Sequence, residues 1–169
     1  MDTLLQQEKK EKGSNKVLFA AIGAAILIVA VLVGFYATRP PHEEKKKQYL
    51  EGAYLQGSPE FEVLTKKIVI INDADNTLQS PTGLGTITMF TRSKIRNISD
   101  KTITALEIQV GVLDQFDKVI REKKQIIIPT FQETLPPNQD ISITVPIEGF
   151  SKDDDRARVQ WKVTAIKVQ

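Results

Sequence analysis

The chain has 169 residues, room for one domain plus attachments. Its formal net charge is +2, and without the four lysines and three carboxylates of residues 1–16 there remain 19 basic and 18 acidic residues. Nucleic acid needs a basic face to displace counterions, so this balance argues against a nucleic-acid partner. Cysteine is absent, which excludes disulfides, thiolate metal sites and thiol catalysis and leaves the fold to its own apolar core.

Residues 1–16 are a basic tail carrying Lys9, Lys10, Lys12 and Lys16. A transmembrane helix is expected over residues 17–38. Val17 to Ala37 is a run of 21 residues with no charge, Asn, Gln or Pro. At ~1.5 Å per residue it reaches about 31 Å, matching a hydrocarbon core of about 30 Å. Only a helix satisfies such a backbone internally in lipid. Lys16 and Arg39 bracket the run, Phe35 and Tyr36 stand where an interfacial aromatic belt forms, and Pro40-Pro41 ends it. A cleaved secretory signal is the rival, but Phe35 occupies the position three before a cut after Ala37, where a small residue is required. Each flank carries four cations, Lys9, Lys10, Lys12 and Lys16 against Arg39, Lys45, Lys46 and Lys47. Long C-terminal domains cross largely regardless of charge. The expectation is therefore a single-pass protein of the plasma (inner) membrane, with its N-terminus cytoplasmic and its C-terminal domain extracytoplasmic. The bilayer is then a partner through Val17 to Ala37. Gly23, Ala30, Gly34 and Ala37 form a small-residue stripe suited to self-association, although such residues are also simply common in membrane helices.

Residues 39–60 read as a polar, partly helical stalk. His42 to Gln56 is helix-like, with Glu43 and Lys47 an i,i+4 pair and Tyr49, Leu50, Ala53 and Tyr54 a narrow apolar stripe. Gly57-Ser58-Pro59 ends it. Lys45, Lys46 and Lys47 would each gain about 1 kcal/mol at an anionic headgroup surface. Glu43 and Glu44 cancel much of that attraction, so a solvated stalk is expected.

From Phe61 to Gln169 the apolar period shifts to two and β-branched residues dominate. Thr104, Leu106, Ile108, Val110 and Val112 alternate with Ala105, Glu107, Gln109 and Gly111; Ile141 to Ile147 alternates more cleanly; Val159, Trp161, Val163 and Ala165 share a face. Strands of this kind belong to antiparallel sheets with one wet side. Turns are expected at Asn97–Lys101, Asp114–Lys118, Pro136–Asn138 and Ser151–Asp155, with an early strand near Lys66–Ile71. Six or seven short strands predict a mainly β fold, an immunoglobulin-like antiparallel β-sandwich behind the membrane helix. Arg121 to Gln125, charged in mid-strand, suits an edge protected from sheet-to-sheet pairing.

Three segments carry a family resemblance: Ile95 to Lys101, Val110-Gly111-Val112-Leu113-Asp114, and Leu135 to Gln139. Over Thr86 to Val168 the domain resembles the FxLYD-type small β-sandwich domains of bacterial envelope and membrane-anchored proteins. Val110 replaces that motif's Phe and Leu113 its Tyr, leaving Asp114, and Asn138 stands where Gly is usual. The resemblance implies an anchored extracytoplasmic module without catalytic residues.

Candidates for chemistry are few. Asn72 to Asn76 is spaced like a calcium loop, but counting from Asp73 the positions that need Gly and Glu are Leu78 and Leu84. Asp153-Asp154-Asp155 offers oxygen ligands, yet Lys152 and Arg156 flank it. Gly83-Leu84-Gly85 lacks the third glycine and following helix of a dinucleotide site and marks a bend before a strand. The one histidine, His42, lies in the stalk, so the domain holds no Ser-His couple. Asn97 matches a glycosylation acceptor but is better placed to bond its own turn, and Trp161 is expected in the core. No catalytic, cofactor or metal residues are assigned. The expected role is a non-catalytic, membrane-tethered module for protein interaction or envelope structure, with a protein partner unspecified. An extracytoplasmic small-ligand sensor is the alternative, and a metal-assisted hydrolase using Asp73, Asp75 or Asp153–Asp155 is third.

Overall fold

The computed structural model describes residues 15–37 and 42–169. The tail ahead of Asn15, the flanking Arg39 and the stop at Pro40-Pro41 lie outside the described residues. The chain divides into two units, Met1–His42 and Glu43–Gln169.

In the first unit, α1 (Asn15–Ala37) is a helix of 23 residues. Among the described residues no helix is long and apolar enough to cross a membrane. The span expected over residues 17–38 therefore rests on the sequence alone. Gly23 and Ala30 of the small-residue stripe are exposed on α1, and the surroundings of Gly34 and Ala37 lie outside what is described.

The second unit is mainly β. After α2 (His42–Leu50) come β1 (Tyr54–Leu55), α3 (Pro59–Thr65), β2 (Ile68–Asn72), a 3₁₀ turn (Ala74–Asn76) and β3 (Leu78–Pro81). The long strands follow: β4 (Ile87–Asn97), β5 (Ile103–Leu113), β6 (Val119–Ile128), β7 (Asp140–Phe150) and β8 (Arg158–Val168). They form two antiparallel sheets. One runs β1-β8-β5-β6; in the other, β4 pairs with β2 and β3 along one side and β7 along the other. The alternating residues meet between the sheets, where Ile95, Leu106, Ile108, Val110, Val145 and Phe150 are fully buried. Each such side chain contributes about 1.5–3 kcal/mol by leaving water. The charged stretch of β6 is indeed on a sheet edge, with Arg121, Glu122 and Lys124 exposed.

Turn chemistry follows the residue types. Asp114 Oδ1 accepts the amides of Phe116 (2.8 Å) and Lys118 (2.9 Å), closing the β5–β6 hairpin around Asp117 at φ 64°. Asn138 takes the left-handed conformation at φ 59°, which Asn tolerates well. Asn97, fully buried, holds its own turn. Its carbonyl oxygen accepts from the amide and hydroxyl of Ser99, and its amide donates to the Lys101 and Leu135 carbonyls.

Three local readings change. The helix expected to Gln56 ends at Leu50; after a turn through Gly52 at φ 71°, Tyr54 and Leu55 pair with Ile166 and Ala165 of β8. Gly52 takes the left-handed conformation that ends a helix at least cost, and the chain beyond it then pairs with the edge of β8. The domain also opens on α3 rather than on a strand. Ser58 caps it, accepting the Phe61 amide at 3.3 Å, Pro59 takes its first position and Phe61 is buried. Finally, a register shift opposite Glu107–Ile108 places Thr164 as an extra residue in β8. Beyond such a bulge the alternation reverses, so Ala165 leaves the face of Val159, Trp161 and Val163.

Candidate interaction surface

The outer face of β5, expected to be wet, is covered at its middle. Glu107 is 5% exposed and Ala105 1%. One Glu107 oxygen accepts the Thr164 hydroxyl at 2.7 Å. The other has no hydrogen bond of regular geometry but lies 2.6 Å from the Lys46 ammonium of α2. Lys46 was expected in a solvated stalk; instead it answers a buried carboxylate, which would be costly to leave unpaired. From Lys46 onward, therefore, the stalk is docked on the domain through this ion pair, the β1–β8 pairing and α3.

The two lateral seams between the sheets differ. On the β6–β7 side, Arg121 donates to the Gly149 carbonyl (3.0 and 3.2 Å) and Lys123 to the Pro146 carbonyl (2.8 Å). On the β8–β2 side, among the described residues one longer bond crosses, from the Trp161 indole N–H to Asn72 at 3.3 Å. β1 pairs with β8 at Ala165 and Ile166, and Gln56 N–H reaches the Thr164 carbonyl. Ahead of Thr164, no described strand pairs with that edge of β8.

Along this open seam runs a groove of three adjoining hollows of about 420, 330 and 340 Å³. The first lies against α3 and shares Ile70 and Trp161 with the second; the second shares Asn72, Arg158 and Val159 with the third. Three cations, Arg156, Arg158 and Lys162, and one carboxylate, Glu62, line it. Arg158 pairs with exposed Asp117, while Arg156 donates to the Ser151 carbonyl and lies over the Phe150 ring. At the far end the Thr77 hydroxyl is buried without a partner among the described residues. A mainly polar lining with Ile70 and Trp161 set in it, three cations and a strand edge without a described neighbour together suit a ligand that brings its own backbone hydrogen bonds.

Of the acidic residues singled out by the sequence, Asp73, Asp154 and Asp155 hold amides of the loops with their carboxylates. Asp73 holds the Asn76 amide at 2.9 and 3.0 Å, Asp154 accepts the Ser151 amide, and Asp155 accepts the Gln115 amide. Asp75 lies exposed in the 3₁₀ turn. Among the described residues no three His, Cys, Asp or Glu come together as metal ligands. Gly83-Leu84-Gly85 forms the turn between β3 and β4, with Leu84 exposed. Trp161 is only half-buried, packed on the core from the seam. The sequence reading missed this groove. Its signal was the spacing of Arg156, Arg158, Trp161 and Lys162, but the shortness of β1, which leaves the edge open, has no such mark.

Comparison with protein-family models, with curated proteins and with solved structures finds no match.

Proposed function

We propose that this chain is a non-catalytic, single-pass membrane protein whose immunoglobulin-like β-sandwich serves as a tethered protein-interaction module of the cell envelope. The open β8–β2 seam carries the reading: a cationic groove beside an unpaired strand edge is a surface made for another polypeptide. The 21 uncharged residues from Val17 to Ala37 support the membrane placement. The resemblance to FxLYD-type domains supports the extracytoplasmic assignment. Docking of the stalk from Lys46 onward makes that part of the stalk belong to the module itself.

The test is purification of the full chain at native expression in mild detergent, with a C-terminal tag probed by protease on intact cells. A discrete complex, and a tag cut before lysis, are expected. Recovery of the chain alone, with neither partner nor oligomer, removes the interaction role. A tag protected until lysis removes the extracytoplasmic placement.

A further inference from the structure

We infer that the seam binds an extended acidic peptide, which adds as a strand along β8 from Arg158 to Lys162. The inference rests on the interaction-module reading above and names its surface and partner class. A strand edge without a neighbour presents amide donors and carbonyl acceptors in register, and an extended peptide completes that ladder. Small molecules satisfy one or two such groups, whereas a peptide satisfies the row. Within the stretch of β8 that has no neighbour among the described residues, Arg158 to Lys162 spans five residues, or about 17 Å, and so takes a segment of about five residues directly.

The lining selects the side chains. In the middle of the groove Trp161 and Ile70 offer an apolar floor, shared by two of its hollows. Arg156 and Arg158 stand at one end and Lys162 towards the other, against the single carboxylate of Glu62. Arg158 is paired with Asp117, but both are exposed and an exposed pair is easily exchanged for a better-placed carboxylate. Alternating acidic and apolar residues therefore match both the cations and the floor, because successive side chains of a strand point to opposite faces.

A second copy of the same edge fits poorly. In the antiparallel register centred on Gln160, Arg158 of one copy faces Lys162 of the other, and like charges directly opposite are destabilising. The cations thus reject self-pairing while attracting acidic strands, the two halves of specificity.

Trp161 is the sole tryptophan, so its fluorescence in the full chain in detergent reports directly on the groove. The probe is a peptide of about eight residues alternating Glu and Val, long enough to overhang the five-residue edge. Its controls are the Lys-Val counterpart and an N-methylated Glu-Val version that lacks strand donors. Saturable change in Trp161 emission is expected with the Glu-Val peptide, together with slowed amide exchange over residues 158–162. The Lys-Val and N-methylated peptides should bind at least about tenfold more weakly, and so should Glu-Val to the exposed double variant Arg158→Glu, Lys162→Glu. Equal binding of the acidic and basic peptides, equal binding of the N-methylated one, or no saturation by about 1 mM overturns the inference. Protection confined to other strands overturns it too, while leaving a peptide-binding module. A native complex that forms equally well with the double variant keeps the interaction reading and removes this surface. Absence of both native complex and peptide binding removes both.

Discussion

The two seams of this domain use the same residue types to opposite ends. Beside β6, Arg121 and Lys123 reach across to carbonyls of β7, and the sheets are stitched. Beside β8, Arg156, Arg158 and Lys162 line a groove, and the bond that crosses joins a tryptophan to an asparagine. Composition does not separate the two edges. What separates them is whether a backbone acceptor of the opposite sheet lies within a side chain's reach. A long cation beside a carbonyl closes a gap by a charge-assisted hydrogen bond; the same cation beside a gap leaves its charge available to a partner.

The largest expected effect tests whether the open seam still belongs to the core. Trp161 packs on the core although half-buried, so Trp161→Ala should lower unfolding stability by about 2–3 kcal/mol, short of the cost at a fully enclosed aromatic. The check is the urea midpoint at constant slope. A loss below about 0.5 kcal/mol would make the indole a surface platform and sharpen the contrast between the seams.

Next comes the point where β8 ceases to be open. Its edge is closed from Thr164 onward by the docked stalk, with Lys46 answering Glu107. Lys46→Met leaves a carboxylate buried without its cation. Because Lys46 is about one-third exposed, the expected loss is about 1–2 kcal/mol rather than that of a fully buried pair. Faster amide exchange in Tyr54 and Leu55 should accompany it. Unchanged exchange there would mean that β1 holds the stalk alone. On the stitched side, replacing Arg121 and Lys123 together by Ala should cost about 1 kcal/mol, because both bonds lie at or near the surface. Amide exchange near Pro146–Gly149 should then approach that of the open side.

How much of this was legible in the sequence depended on the range of the interaction. Alternation in β4, β5 and β7 and the turn residues Asn97, Asp114 and Asn138 are local signals, and the two-sheet β fold follows from them. The Ser58-Pro59 start of α3 is equally local, but the same residues after Gly57 read as well as the end of the stalk as they do as an N-cap followed by a helix-starting proline. The bulge at Thr164 and the docking of Lys46 on Glu107 join positions 57 and 61 residues apart. No period within a single strand encodes such a meeting. The groove is harder still, since it exists only because β1 is two residues long beside a strand of eleven.

The smallest expected effect is the most telling for the comparison. The Trp161–Asn72 bond is 3.3 Å long and exposed, so water can replace either partner. Asn72→Ala should therefore change stability by less than about 0.5 kcal/mol, within the range of an ordinary surface substitution. The indole N–H would be left free in the groove, and Trp161 emission should shift although the fold does not. If the cost instead exceeds about 1 kcal/mol, the bond is a structural stitch equal to those of Arg121 and Lys123. The two seams would then be closed by similar means, and the groove would be a shallow furrow rather than a place for a strand. A neutral Asn72→Ala that binds the acidic peptide as well as the parent chain would show that Trp161 serves the groove through its ring, leaving recognition to the β8 backbone and its cations.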